Sequence, residues 1–444
     1  MDLAGLTDIA VSTAKKLRVD DAIALAASGT EKMIRFANNS LTVVKEIDET
    51  ELLVYLAKDR KRIVASTSNP LESSVKSFVT NLSESLEALT PQPDFAPLPS
   101  KAHRFAPRDA GYDRKLDTVE TEIPELVHEA IDSAIQGGGE RSAGALTASV
   151  SEYCILTSSG TEGRDKGGAL TLNIRSFSEG DASGHGLSCS ANLAGLDPAG
   201  AGRRAGENAK RMVGAREPEA GEYQVLMSPT VASNLVGLIG GFASAFSVDA
   251  GISYLEGMMG KRVASGNFTL TDHGKIRGGL DGRNFDDEGT PTQSTRIIEG
   301  GTLKSYLHNL TTSNKSKTKS TGSAGLLDPR TWNLEVGAGD ASYEEMLKQV
   351  KRGVVITSNW YTRFKNYKTG EFSTVPRDGA YLVEKGRVVG PLKGIRVSDS
   401  LQRMFSSIQL MSKEREWIQW WEVETPTLSP WLLVAGVNIT RAYE

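Results

Sequence analysis

Residues 223–248 read YQVLMSPTVASNLVGLIGGFASAFSV, a run without a single charge in a chain of 444 residues. On length alone it could cross a bilayer, which takes roughly 20 predominantly apolar positions. Its composition argues otherwise. Gln224, Ser228, Pro229, Thr230, Ser233, Asn234, Ser244 and Ser247 are spread through it, and each is costly in hydrocarbon. The run therefore reads as a buried element of a water-soluble core, and no membrane association is expected. Gly237, Gly240, Gly241, Ala243, Ser244 and Ala245 give its second half a surface of small side chains. Such a surface lets another backbone approach closely, so tight packing is expected there.

The rest of the composition is that of a folded protein. Charged residues make up 24% and hydrophobic ones 39%, and a chain about three times the roughly 150-residue domain prior should form two or three units. Lys plus Arg number 51 against 55 Asp plus Glu, a net charge of −4, so no global positive field gathers nucleic acid. Two cysteines, Cys154 and Cys189, cannot supply a disulfide framework and fit a reducing compartment. The start, Met1-Asp2-Leu3-Ala4-Gly5, lacks the basic and apolar regions of a secretory signal. A cytoplasmic location is expected.

Upstream of the uncharged run the chain mixes helix and strand signals. Leu6, Ile9, Ala10, Ala14 and Leu17 recur at helical spacing, Leu52 to Leu56 is a strand-length apolar run, and Leu71 to Leu89 keeps apolar residues on one helical face. Pro91, Pro93, Pro97 and Pro99 then break any regular element. The expected organisation is an α+β unit over 1–90, a Pro-rich linker over 91–110, a central α+β unit over 111–216 and a larger, mostly β domain over 217–444. In the central unit Pro124–Ile135 reads as a helix ended by Gly137-Gly138-Gly139, Leu170, Leu172 and Ile174 alternate as in a strand, and Asp197-Pro198 caps a further helix. In the last unit Lys385-Gly386 joins two short strands as a hairpin, Ser342-x-x-Glu345 is a capping box, and Leu401, Met404, Phe405 and Ile408 share a helical face. The fold class is thus α+β, two N-terminal α/β-type units with mixed sheets followed by the β-rich domain, and no repeat runs along the chain.

Motifs for chemistry are sparse. The five histidines, at 103, 128, 185, 273 and 308, contain no H-E-x-x-H pair; His128-Glu129 begins the pattern but Asp132 stands where the second imidazole belongs. His185 and Cys189 lie four apart among glycines and serines, a loop pattern more than a ligand pair. Gly200-Ala201-Gly202 resembles a dinucleotide fingerprint, but the helix begins before the glycines, which is the wrong context. Lys315, Lys317 and Lys319, within Thr311–Thr321, could contact phosphate. Net charge and the lack of aromatics nearby favour a mobile solvated loop, one that could border a substrate cleft. Asp286-Asp287-Glu288-Gly289 could hold a hard cation or a basic peptide, with a capped turn the stronger alternative. Trp417, Trp420 and Trp421 have helical i, i+3, i+4 spacing and form a buried stripe or a partner surface.

Several segments, read in order, resemble the TldD/PmbA family of bacterial and archaeal proteins, once called gyrase modulators. They are Tyr254-Leu255-Glu256-Gly257-x-x-Gly260-Lys261, Phe285 to Thr292, Ile298-Glu299-Gly300-Gly301-Thr302-Leu303-x-x-Tyr306-Leu307, Ser320-Thr321-Gly322, Tyr367 to Ser373 and Ser429-Pro430. The resemblance implies a zinc peptidase assembly in which TldD-type subunits carry H-E-x-x-x-H on a helix and PmbA (TldE) subunits lack it. Counting from Pro229, the corresponding stretch here is Gly237-Leu238-Ile239-Gly240-Gly241-Phe242, so Gly237, Leu238 and Phe242 stand at the degenerate zinc-motif positions. No histidine lies between His185 and His273, and no cysteine follows Cys189.

By this resemblance the chain is a PmbA/TldE-like, non-catalytic subunit of a zinc metalloprotease complex acting on unfolded or short peptides. It has no catalytic or metal residues and no cofactor of its own, with zinc on a TldD-like partner in a heterodimer. Asp286, Asp287, Glu288, Gly289, Lys315, Lys317, Thr321 and Gly322 are its candidate cleft or structural signature. The rival expectations are a homodimeric peptide-binding or regulatory module without a peptidase partner, and a stand-alone hydrolase with an unrecognised site. Nucleic-acid binding ranks last.

Overall fold

A computed structural model describes residues 2–106 and 112–442. The end of the expected linker at 107–110 and residue 111, where the central unit was expected to begin, lie outside the described residues, as do residues 1, 443 and 444. The α+β class inferred from sequence is the class observed. The first half comprises α1 (Leu3–Lys16), β1 (Asp21–Ala37), β2 (Ser40–Lys58), β3 (Lys61–Thr67), α2 (Glu72–Glu87), β4 (Arg104–Phe105), α3 (Ile123–Gln136), β5 (Arg141–Thr157), β6 (Glu162–Phe177), β7 (Ser183–Ser190) and α4 (Pro198–Arg211).

Among the described residues these strands form one seven-stranded mixed sheet in the order β3-β2-β1-β5-β6-β4, with β7 also on β6. Strands from both N-terminal segments therefore share a sheet. The join is β1 on β5, antiparallel from Ile23↔Thr157 to Phe36↔Gly144. One face of this sheet is covered by helices: α1 and α2 pack on Ala22, Ala24, Ala26, Leu52, Val54 and Leu56, and α3 on Ile34, Phe36, Leu146 and Leu172. On the other face Ile23, Leu25, Tyr55 and Ile155 meet Phe285 and Leu326 of the C-terminal half. The alternation of strand side chains thus couples the two halves of the molecule. Asn38-Asn39 and Asp59-Arg60, all at positive φ, make the two-residue turns of the β1–β2–β3 meander, as hairpin twist requires.

The glycines of α4 have a packing role. A Cβ at Gly202 would fall 2.0 Å from Ala130 O of α3, and one at Gly206 2.0 Å from Ala134 O. Asp197 Oδ1 caps this helix through Gly200 N–H at 2.8 Å. The fingerprint-like glycines therefore let two helices touch.

The second half comprises β8 (Gly221–Met227), α5 (Pro229–Phe242), α6 (Ala245–Asp249), β9 (Leu270–His273), β10 (Ser294–Glu299), β11 (Thr302–Leu303), α7 (Leu310–Lys315), β12 (Asn333–Val336), α8 (Tyr343–Gln349), β13 (Arg352–Ile356), β14 (Asn359–Asn366), β15 (Glu371–Pro376), β16 (Ala380–Glu384), β17 (Arg387–Pro391), β18 (Ile395–Ser400), α9 (Leu401–Ser406), β19 (Ile408–Trp420) and β20 (Val423–Arg441). Among the described residues its strands join in a thirteen-stranded sheet with β20 as hub, paired with β8, β12, β18 and β19 along its length. The capping box at Ser342 and Glu345 forms, and Lys385-Gly386, both at positive φ, turn β16 into β17.

Two expectations are corrected. The 311–321 segment is not loop throughout: its first part belongs to α7, which Asn309 caps in a capping box with Thr312, and Thr312 and Ser313 are buried, while residues 314–319 are exposed. The tryptophan spacing is not helical. Trp417 and Trp420 belong to β19, and Trp421 sits in its two-residue turn to β20. A register shift between Ile418 and Trp420 breaks the two-residue period that would have marked a strand. No described helix is long and apolar enough to cross a membrane.

Candidate functional site

The uncharged run becomes β8 followed by α5. Ser228 caps α5, its Oγ accepting Val231 N–H at 3.4 Å, and Pro229 occupies the first turn, where an amide would lack a partner. Val231, Ala232, Leu235, Val236, Ile239 and Phe242 enter the main C-terminal core. The opposite stripe, Asn234, Gly237, Leu238 and Gly241, lines a cleft of about 830 Å³. A Cβ at Gly237 or Gly241 would meet no heavy atom within 4 Å, whereas one at Gly240 would lie 2.8 Å from Leu334 Cδ1 and 2.9 Å from Thr331 Cγ2. Tight packing of the small residues thus holds at Gly240. At Gly237 and Gly241 it does not, because those positions leave the cleft floor bare.

The cleft walls come from the 328–332 segment, from Thr362, Arg363 and Phe364 of β14, and from the β19–β20 turn with Trp421 and Glu422. Aromatic rings line much of this surface. Phe364 lies edge-on to Phe242 at 4.9 Å and beside Tyr367 at 5.1 Å, and Trp421 lies 5.2 Å from Trp360. Trp421 and Tyr367 remain about half exposed, at 49% and 54%.

Asn234 braces the wall. Its Nδ2 donates to Glu422 O at 2.5 Å, and its Oδ1 accepts from Asn359 Nδ2 at 2.8 Å and Thr362 Oγ at 2.7 Å. The Glu422 carboxylate in turn accepts Tyr361 N–H at 2.6 Å. Tyr361 is held at φ 58, a left-handed conformation that costs a tyrosine about 1–3 kcal/mol. The β19–β20 turn is therefore tied both to α5 and to a strained residue of β14. Sequence reasoning did not single out Asn234, Tyr361 or Glu422, because their partners are 61 to 188 residues away along the chain.

A zinc centre needs three or more imidazole, thiolate or carboxylate donors converging on one point. Gly237, Leu238 and Phe242, where the family resemblance puts such donors, carry no donor atom. Of the cleft carboxylates, Glu422 and Glu424 lie together at the β19–β20 turn while Asp281 and Asp328 come from two other segments, and among the described residues no group of three His, Cys, Asp or Glu converges. The residues at α5 do not fit a zinc ion. His185 and Cys189, both on β7, also point elsewhere. The His185 ring bonds Ser358 and Asn173, each at 2.9 Å, and Cys189 Sγ donates to Gln419 O at 3.3 Å.

The other signature residues lie outside the cleft lining. Asp286 is fully buried and accepts Glu288 N–H at 3.0 Å, Thr290 N–H at 2.8 Å and Ala324 N–H at 3.1 Å. Asp287 pairs with Arg283, whose guanidinium lies over the rings of Tyr153 and Trp332 at 4.5 and 5.0 Å. Glu288 accepts Leu310 N–H at 2.8 Å, and Gly289 takes φ 75 to close the turn. Burial pushes the carboxyls of Asp286 and Glu288 upward. This turn, following Phe285, is the joint between the C-terminal half and the N-terminal sheet. Lys315 pairs with Asp249 at 3.0 Å, and Lys317 takes φ 52 at the end of α7. Thr321 Oγ accepts His308 N–H at 2.8 Å, and Gly322 O accepts Trp332 Nε1–H at 2.9 Å.

Comparison with known proteins agrees with this architecture. Residues 220–441 match the PmbA/TldA metallopeptidase C-terminal domain and residues 106–213 the central domain of the same proteins. The chain is 31% identical over 218 residues to a metalloprotease of Methanocaldococcus jannaschii, covering 47% of each chain. It is 28% identical over 193 residues to the metalloprotease PmbA of Escherichia coli O157:H7, covering 43% of this chain and 41% of that one. It thus spans about half the length of the curated relatives it matches. A Thermotoga maritima protein described as a modulator of a DNA gyrase shares the fold, with a TM-score of 0.86 at 24% identity over 99% of this chain and 100% of that one. TldE of Thermococcus kodakarensis does so at 0.86 and 17%, over 98% and 100%. With its C-terminal and central segments both matched, the chain belongs to the PmbA/TldD family of metallopeptidase-related proteins.

Proposed function

We propose that this chain is a PmbA/TldE-like subunit without a reaction centre of its own, working in the cytoplasm with a TldD-like, zinc-bearing chain that cleaves unfolded or short peptides. One observation carries the proposal: a cleft of about 830 Å³ runs along a helix whose open positions, Gly237 and Gly241, carry no side chain that could ligate a metal. Such a cleft has the volume to take a few residues of extended peptide. Trp421 and Tyr367 offer it ring faces, and the turn pinned by Asn234 and Glu422 keeps the wall in place. Bond cleavage belongs to the partner; this chain shapes the passage and holds the peptide.

Co-expression with a homologue bearing H-E-x-x-x-H tests the reading. A stable complex on size exclusion, with peptidase activity in the complex and none in this chain alone, is the expected result. Chains that stay apart, with this one a homodimer, would favour a peptide-binding or regulatory module. Zinc-dependent cleavage that co-elutes with the pure single chain would replace the proposal with a stand-alone hydrolase.

A further inference from the structure

The contacts of α5 give the cleft two aromatic ends. At one end Asn234 donates to Glu422 O at 2.5 Å and accepts from Thr362 Oγ at 2.7 Å, which fixes the turn bearing Trp421 beside this part of the helix. The Trp421 ring packs there against Trp360 at 5.2 Å and Tyr361 at 5.8 Å. At the other end Phe242, the last residue of α5, has its ring 4.9 Å from Phe364 and 6.3 Å from Tyr367. Ile252 lines the cleft too, and a Cβ on its neighbour Gly251 would lie 3.8 Å from Lys368 Cε, next to Tyr367. Trp421, Tyr367 and Ile252 are each about half exposed, so both ends offer apolar surface to an occupant.

Helix geometry gives the separation of the two ends. Asn234 and Phe242 are eight residues apart within one α-helix, and at 1.5 Å per residue they stand about 12 Å apart along it. Between them a Cβ at Gly237 or Gly241 would meet nothing within 4 Å, so a peptide backbone can pass close over the helix. An extended chain advances about 3.3 Å per residue and turns alternate side chains to the same side. Side chains four positions apart therefore share a side and stand about 13 Å apart, which matches the two ends; three positions apart they face opposite sides, and two positions apart they span only about 7 Å. We infer that the cleft selects extended peptides with large apolar or aromatic side chains at positions i and i+4, one against Trp421 and the other against Phe364 and Tyr367. The inference rests on the peptide-binding reading of the cleft and adds a sequence preference to it.

Calorimetric titration of the full chain with acetylated, amidated Gly/Ser heptapeptides tests the inference. The peptides carry one Phe, or two Phe spaced i,i+2, i,i+3 or i,i+4. The i,i+4 peptide is expected to bind at least about tenfold more tightly than the single-Phe peptide, the gain from burying a second ring, with the other two spacings near the single-Phe value. Trp421→Ala and Tyr367→Ala, both at half-exposed positions, should each bring the i,i+4 peptide down to the single-Phe affinity and leave the single-Phe peptide within about twofold, since one end remains in each. Two variants at opposite ends keep the test open if one of them misfolds. Peptides that bind with equal affinity at all three spacings, or an i,i+4 affinity unchanged in both variants, would overturn the inference and leave the peptide cleft standing. No saturable signal for any of the peptides up to about 1 mM would overturn the peptide reading of the cleft itself, and the inference with it.

Discussion

Alanine substitution at three glycines of α5 should split them into two classes. At an open position in a helix interior, Gly→Ala removes the backbone-entropy cost of glycine and stabilises by about 0.5–1 kcal/mol. Gly237 and Gly241 are such positions, since an added Cβ would touch nothing within 4 Å. Gly240 gains the same propensity, but its Cβ would press on Leu334 and Thr331 at 2.8 and 2.9 Å. Leu334 is fully buried within the main C-terminal core, so any shift it makes must displace packed neighbours. Overpacking of this kind costs about 1–3 kcal/mol, so the net effect at Gly240 is destabilising by up to about 2.5 kcal/mol once the propensity gain is subtracted. Urea unfolding of each full-length variant, followed by amide exchange in α5, gives the ranking: Gly237→Ala and Gly241→Ala above the parent, Gly240→Ala below it. If Gly237→Ala and Gly241→Ala lose stability as Gly240→Ala does, the cleft floor is packed and the site described above does not exist.

Three further outcomes follow from named contacts. Asn234→Ala removes the brace between α5, β14 and the β19–β20 turn, and should cost about 1–3 kcal/mol, with faster amide exchange at Tyr361 and Thr362 as its local sign. Burial pushes the Asp272 carboxyl up to about 7. Its folded-state pKa therefore exceeds the unfolded one, and the folded state holds the extra proton between about pH 4 and pH 7. Stability from this group is present below that window and falls as pH rises through it, by up to about tenfold in the folding equilibrium per pH unit. Asp272→Asn should flatten the slope, measured by unfolding at a series of pH values. The double variant Gly237→His, Gly241→His places two imidazoles one turn apart in the open cleft. It should bind zinc or nickel in the micromolar range where the parent does not, read by calorimetry.

Local signals were the legible ones. The α4 cap at Asp197, the α8 capping box at Ser342 and the Lys385-Gly386 hairpin each depend on residues within a few positions of one another, and sequence alone identified them. The long β1–β2 hairpin was seen only at Leu52 to Leu56, because residues 43–46 are exposed on both faces and carry no alternation to read. Its turn signal was Asn38-Asn39, whose short amides tolerate positive φ. The joining of the two N-terminal segments through β1 and β5 is a pairing across more than a hundred residues, for which single-sequence periodicity carries no information. In the site, the absence of metal donors was visible in the composition of 237–242, whereas the bareness of Gly237 and Gly241 depends on what fails to pack there. Glycine next to a tight contact and glycine next to open space look alike in sequence.

The central claim is that the helix along the cleft offers a divalent ion nothing to bind. Elemental analysis of the pure full-length chain, dialysed after exposure to excess zinc, tests it most directly. Well under one zinc per chain is the result this account predicts. A full equivalent that survives dialysis, and is displaced when a histidine or carboxylate of the C-terminal half is removed, would contradict it.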